Sequence, residues 1–87
     1  MAAYSLAVKR SAAKEIESIE PVTTRRRIVA RIRALGDEPR PLGAERLSGP
    51  SDLYRVRQGP FRILYQVDDR ARRVEIVKVG HRREVYR

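Results

Sequence analysis

The stretch that decides the fold is Tyr54–Arg87, with the sequence YRVRQGPFRILYQVDDRARRVEIVKVGHRREVYR. It contains two segments in which apolar and polar residues alternate, then a largely apolar segment at 74–79, with turn-forming residues at 58–60 and 68–72. A period of two is typical of β-strands that bury one face. We therefore predict a three-stranded antiparallel meander, whose middle strand buries one row of side chains: Phe61, Ile63, Tyr65 and Val67.

The same alternation places a row of cations on the other face of the meander. Arg55 and Arg57 alternate with Val56 on the first strand, and Arg62 precedes Ile63 on the second. Successive side chains of a strand point to opposite faces of its sheet. If the apolar row lies under the rest of the chain, the three arginines share the uncovered face. A surface that carries this many cations is expected to meet a negatively charged partner.

The N-terminal half predicts one strand and two helices. Residues 3–8 alternate in polarity and indicate a half-buried strand. Ser11 is a suitable N-cap for a short helix over 12–19. Pro21 interrupts that helix, because proline cannot continue a helix but can open the next one. The second helix is predicted over 22–35, where apolar residues recur at helical spacing.

Gly36 is predicted to end the second helix in the left-handed conformation, and residues 37–53, with three of the five prolines, to be mostly loop. The resulting order is β-α-α-β-β-β. We expect a single α+β domain over residues 1–87. Its helical hairpin packs on one face of a four-stranded, largely antiparallel sheet, and a basic open face lies opposite.

Composition narrows the classes of function. The 87 residues carry a net charge of +9 and include no cysteine and one histidine, so a disulfide framework and a thiolate metal site are excluded. No apolar run approaches the ~20 residues of a membrane span. Residues 54–87 hold ten Lys/Arg against four Asp/Glu. We expect a cytoplasmic protein with no membrane association, no metal and no cofactor, and a polyanionic or acidic partner.

Three motifs in the C-terminal half point to a known group. They are Y-R-x-R at 54–57, G-x-F-R-I-x-Y-x-V-D-D at 59–69, and V-G-H-R with a following Tyr at 79–86. Together with the order of elements, they resemble the RelE-type mRNA interferase toxins of the RelE/ParE superfamily. The resemblance implies a ribosome-dependent endoribonuclease that cleaves mRNA in the decoding site by 2′-hydroxyl attack and inhibits translation. It also implies a cognate acidic, RelB-like antitoxin in a hetero-oligomer, with the ribosome and mRNA as further partners.

The resemblance also assigns site residues, and it does so position by position. The catalytic candidates are Arg55, Arg57, Arg62, His81, Arg82 and Tyr86, with Arg83 as the adjacent alternative to Arg82. The RNA-binding candidates are Arg83 and Arg87. By hypothesis Tyr86 is the base or stacks on a nucleobase, Arg82 assists the leaving oxygen, and His81 is a reserve base. The RelE prototype has lysines where this chain has Arg55 and Arg57. Arginine keeps its proton at neutral pH, so those two positions are expected to act through charge alone.

Other interpretations of the same residues stay open. A ParE-like inhibitor of DNA gyrase would share the fold without RNA chemistry, although that branch usually lacks the pairing of Arg82 with Tyr86. A third possibility is an antitoxin-binding or nucleic-acid-binding module whose catalytic machinery has decayed. At single positions, the strand arginines could be a solvated sheet face, His81 a surface residue, and Tyr86 a packing residue.

Overall fold

A computed structural model describes residues 3–47 and 52–81. Its elements in chain order are β1 (Ser5–Val8), α1 (Arg10–Glu17), α2 (Val22–Asp37), β2 (Glu45–Arg46), β3 (Leu53–Gln58), β4 (Phe61–Asp68) and β5 (Arg73–His81). The strands form one sheet in the order β1-β5-β4-β3-β2. Only β1 and β5 pair in parallel among these strands. The α+β class, the helical hairpin and the antiparallel meander are confirmed, but the sheet has five strands and not four.

The additional strand is β2, in the stretch that the sequence predicted as loop. Glu45 pairs with Arg55 and Arg46 with Tyr54, in antiparallel register. Just beyond, the Leu47 amide donates a hydrogen bond of 2.9 Å to the carbonyl of Leu53. Two residues are too few to display a period of two, so the strand exists because the edge of β3 offers it free backbone groups.

The core lies between the helices and one face of the sheet, as the apolar row of β4 predicted. Ile63 and Tyr65 have no exposed surface, and Val67 is 2% exposed. Phe61 is partly buried and packs against the same cluster. Helix α2 covers this core with Ile28, Ile32 and Leu35, which are all buried. Burying a side chain of this size contributes roughly 1.5–3 kcal/mol, so this interface holds the hairpin on the sheet.

Helix α2 starts at Val22 as predicted, but the other helix boundaries differ from the prediction by two residues each. Helix α1 starts earlier than expected: its N-cap is Lys9, and Ser11 lies inside its first turn. Helix α2 continues through Gly36 to Asp37 and does not end there in the left-handed conformation. Gly36 is buried, and its carbonyl accepts a hydrogen bond of 2.9 Å from the amide of Tyr4. Gly36 is therefore the point at which α2 contacts the chain entering β1, not the end of the helix.

Strand β5 contains a β-bulge. Leu64 pairs with Lys78 and Tyr65 with Ile76, so Val77 is an extra residue on β5. The bulge lets Ile76 and Val79, three residues apart, both enter the core. It also shifts by one the faces of all residues that follow Val77. Neither helix in the described ranges is long and apolar enough to cross a membrane.

Candidate functional site

The three strand arginines lie on the sheet face opposite the helices. Arg57 on β3 pairs directly with Arg62 on β4, and Arg55 pairs with Leu64. The intervening residues Val56 and Ile63 are completely buried in the core. Directly paired residues share a face, and neighbours along a strand alternate. Arg55, Arg57 and Arg62 are therefore grouped on one surface, and they owe this to the apolar residues between them.

This surface is less open than the sequence indicated. Arg57 is exposed, but Arg55 and Arg62 retain only 8% and 6% of their accessible surface. The expectation of three arginines on an uncovered face is thus wrong in its degree of exposure. One cause is β2, because Nη2 of Arg55 donates to Oε2 of Glu45 at 2.7 Å. A guanidinium that leaves water is stabilised by such a charge-assisted bond.

A depression of about 240 Å³ lies at the tip of the β3–β4 hairpin. It is lined by Arg57, Gly59, Pro60, Arg62 and His81. Gly59 has φ +59°, and a Cβ added there would meet nothing within 4 Å, so the tight turn itself requires glycine. Like charges placed directly opposite each other in an antiparallel pair are destabilising. The Arg57–Arg62 pair places two cations at this depression, and we refer to the five lining residues as the hairpin-tip site.

His81 reaches the hairpin-tip site from the other side of the sheet. It pairs with Phe61, and the two rings meet edge to face with centroids 5.9 Å apart. By register it belongs to the helix-facing side, and this placement follows from the bulge at Val77. His81 is exposed at the end of β5 and forms the rim of the site.

The remaining candidates lie outside the described residues. They are Arg82, Arg83, Tyr86 and Arg87. The roles that the resemblance gives to this tail, including those of base and of leaving-group acid, stay predictions.

A second polar cluster was missed by sequence reasoning, which treated the aspartates at 68–69 as a turn only. Asp69 accepts hydrogen bonds from the Tyr4 hydroxyl at 2.6 Å and from both terminal nitrogens of Arg40, at 2.8 and 3.2 Å. The Arg40 guanidinium and the Tyr4 hydroxyl hold the pKa of Asp69 below its ordinary value. Asp69 in turn raises the pKa of Arg40, which stays charged. Arg40 is 29 positions and Tyr4 is 65 positions from Asp69 in the sequence, so no local pattern could have predicted the cluster.

The cluster continues into the core through two tyrosines. The Arg40 Nε donates to the Tyr54 hydroxyl at 2.9 Å, and the rings of Tyr54 and Tyr65 stack with centroids 5.8 Å apart. The Tyr65 hydroxyl donates to the carbonyl of Pro39 at 2.7 Å. Burial raises the pKa of Tyr65 to about 12, so the phenol is neutral. This network holds Pro39 and Arg40, which follow α2, against the sheet.

A larger depression lies elsewhere on the sheet. It encloses about 540 Å³ at the other end of the sheet and is lined by Asp52, Gln66, Val67, Asp68, Asp69, Arg70, Ala71, Arg73 and Glu75. The four carboxylates of its lining disfavour a phosphate there. The volume of a depression therefore does not identify the phosphate-binding site. Across residues 3–47 and 52–81, no three His, Asp or Glu side chains converge to hold a metal ion.

Comparison with solved structures finds close similarity over nearly the whole chain. The RelE–RelB complex from the archaeon Pyrococcus horikoshii contains a chain 28% identical to this one, with a TM-score of 0.81 over 92% of this chain and 96% of that one. The isolated Escherichia coli RelE toxin is 30% identical, with a TM-score of 0.78 over 97% of this chain and 92% of that one. A chain of the RelBE2 toxin–antitoxin complex of Mycobacterium tuberculosis is 25% identical, with a TM-score of 0.78 over 91% of this chain and 98% of that one.

Sequence comparison supports the same assignment at the level of the family. No curated protein sequence matches the chain significantly. The family model described as "ParE toxin of type II toxin-antitoxin system, parDE" matches residues 6–86, which include every element from β1 to β5 almost completely. A match over this span, together with a fold shared with RelE toxins of both bacteria and archaea, settles the membership. The chain belongs to the ParE toxin family of type II toxin–antitoxin systems, within the RelE/ParE superfamily.

Proposed function

We propose that this toxin is a ribosome-dependent endoribonuclease that cleaves mRNA in the decoding site and so inhibits translation. The observation that carries the proposal is the direct pairing of Arg57 with Arg62 over the hairpin-tip site. Two guanidinium groups at one small depression suit a phosphodiester, because each planar fork can donate to two phosphate oxygens. The likeness to the E. coli RelE toxin, at 30% identity over almost the full chain, supports the same choice.

The chemistry would proceed by internal transfer. The 2′-hydroxyl loses its proton and attacks the adjacent phosphorus in line, and the 5′-oxygen leaves with a proton. Arg57 and Arg62 would stabilise the negative charge that gathers on the non-bridging oxygens, which is the main electrostatic contribution in such a reaction. Fixed guanidinium charges perform this role without a metal ion. Under the hypothesis given above, Tyr86 is the base or stacks on a nucleobase, Arg82 assists the leaving oxygen, and His81 is a reserve base.

The proposed partners follow from charge and from the relatives. The similar RelE chains of Pyrococcus horikoshii and Escherichia coli were solved in complexes with RelB antitoxins. We propose that this chain is held in check in the cytoplasm by a cognate acidic, RelB-like antitoxin in a hetero-oligomer. A net charge of +9 favours such a partner by electrostatic complementarity, so its affinity should fall as salt rises.

The test is cleavage of mRNA by the purified toxin with and without ribosomes, with the cleavage ends mapped by primer extension. Arg57→Ala should slow ribosome-dependent cleavage by about tenfold or more, as expected for removing one charge-stabilising donor. Arg70→Ala is the matched control, because Arg70 is also exposed but lies at the β4–β5 turn, beside the acidic depression. Equal rates for the two variants, or equal cleavage with and without ribosomes, would refute the proposal.

A second candidate is inhibition of DNA gyrase, and the description of the matching family model favours it. The two functions differ in what stops first after induction of the toxin. Pulse labelling with an amino acid and with thymidine separates them: an early arrest of protein synthesis supports RNA cleavage, and an early arrest of DNA synthesis supports gyrase inhibition. If wild-type and Arg57→Ala chains are equally toxic while no RNA is cleaved, the decayed binding module is the better description.

A further inference from the structure

The edge strand β2 places a carboxylate against the row of arginines. Glu45 pairs with Arg55 in the antiparallel register of β2 and β3, so both side chains lie on the arginine face. Their charged groups meet at 2.7 Å. The exposure of the two is unequal: the Arg55 side chain keeps 9% of its surface, whereas the Glu45 side chain keeps 56%. Glu45 therefore lies on the solvent side of the pair.

A carboxylate on the solvent side occupies the approach that a phosphate would use. Carboxylate and phosphate both present paired oxygens to the guanidinium fork and compete for the same donors. While Glu45 is bound, the positive charge of Arg55 is locally balanced, and an incoming phosphate meets a negative group first. The arginine face then presents the charge of Arg55 to RNA only in part.

The element that carries Glu45 is weakly attached. Strand β2 has two residues, lies at the edge of the sheet and pairs only with β3 among the described strands. Opening it exchanges few backbone hydrogen bonds for bonds to water, each with a small net contribution of ~1 kcal/mol. Short edge segments of this kind are the parts of a fold that open most easily.

We infer that Glu45 is an internal competitor for RNA phosphate at Arg55, and that β2 must release Arg55 before this arginine can engage RNA. The inference deepens the proposed function and rests on it, because it names a residue that limits the affinity of the same surface for its substrate. A second ion pair on β2 serves as a comparison for the Glu45–Arg55 pair. Asp52 forms a second ion pair with Arg46 at 3.3 Å, but both of those side chains are more than half exposed, and Arg46 pairs with Tyr54 on the opposite face.

The experiment measures equilibrium binding of the purified toxin to a fluorescent, non-cleavable 2′-O-methyl single-stranded oligoribonucleotide across a series of salt concentrations. Glu45→Gln keeps an oxygen that accepts from Arg55 but removes the negative charge. It should tighten binding by about five- to tenfold and steepen the plot of log K against log salt by about 0.7, the value of one added phosphate contact on a single strand. Asp52→Asn adds the same unit of charge away from the arginine face and should change binding by less than about twofold.

Two further measurements keep the result interpretable. In an Arg55→Ala background, Glu45→Gln should give no gain, because the competition needs its arginine. Thermal unfolding followed by circular dichroism establishes that each variant is folded; an unfolded Glu45→Gln chain is replaced by Glu45→Ser, for which the same gain is expected.

Each remaining outcome has a defined meaning. Equal gains for Glu45→Gln and Asp52→Asn would show an effect of net charge and overturn the inference. Weaker binding by Glu45→Gln would also overturn it, because Glu45 would then support Arg55 rather than compete. If neither wild type nor Glu45→Gln binds the oligoribonucleotide, the inference falls, whereas the proposed function is decided by the cleavage assay with ribosomes. Wild-type binding with no ribosome-dependent cleavage removes the proposed function alone.

Discussion

Replacing Tyr65 by phenylalanine tests the network that holds the α2–β2 segment on the sheet. The substitution keeps the fully buried ring and removes only its hydroxyl, which donates to the carbonyl of Pro39 at 2.7 Å. With a pKa of about 12, raised by burial, this hydroxyl is a neutral donor at all working pH values. Loss of a neutral bond costs ~1 kcal/mol net, and the buried carbonyl left behind adds a similar amount. We expect Tyr65→Phe to lower the free energy of unfolding by about 2 kcal/mol.

Tyr54→Phe is the matched control, because it also removes one hydroxyl from the same stacked pair of rings. The Tyr54 hydroxyl accepts from Nε of Arg40, whose side chain is 39% exposed and keeps its two bonds to Asp69. Water can replace the lost partner there, so the cost should stay below ~1 kcal/mol.

Urea unfolding followed by circular dichroism measures both variants. If the dependence of the unfolding free energy on urea concentration has the same slope in both variants, the difference between their urea midpoints reports the difference in free energy of unfolding. In thermal unfolding, a loss of about 2 kcal/mol corresponds to a fall in Tm of roughly 8–16 °C for a domain of this size. The reasoning fails if Tyr54→Phe costs as much as Tyr65→Phe, or if Tyr65→Phe costs less than ~0.5 kcal/mol.

Three other outcomes are expected. The pKa of Asp69 is lowered in the folded chain, so its stabilising effect is present above the ordinary value of 3.8 and is lost as the pH falls through the folded value. Asp69→Asn should therefore lower Tm at pH ~7 and flatten the decline of Tm below pH ~4. Plots of Tm against pH that run parallel for wild type and variant would contradict this. Gly59→Ala should lower the free energy of unfolding by ~1 kcal/mol because of the left-handed backbone alone, and Gly59→Asn should lower it less. Equal losses for the two variants in urea unfolding would indicate a steric cause instead. Cleavage of mRNA should survive treatment of the toxin with a chelator before it is added to intact ribosomes, because arginines supply the charge; loss of activity that added metal restores would show otherwise.

The division of the sheet into two faces could be predicted because it depends on local alternation. Ile63 and Tyr65 are apolar while Arg57 and Arg62 are not, and the pleat of a strand turns that difference into a buried face and a basic face. The helices, the meander and the presence of β1 in the same sheet follow from the need of their apolar surfaces to be buried. The parallel pairing of β1 with β5 was not predicted from the sequence. The helix ends at Lys9 and Asp37 were less accessible, since the first lacks a side-chain cap and the second depends on the approach of β1.

What the sequence determined by itself is the fold class, the helix-facing row of β4 and the arginines that must lie opposite it. What only the tertiary structure decided is how much of that basic surface is available. The two-residue strand β2 brings Glu45 onto Arg55 across ten positions, and the bulge at Val77 turns His81 toward Phe61. Neither feature has a periodic signal, because a two-residue pairing and a one-residue insertion arise from contacts between strands rather than from the order of residues within one strand.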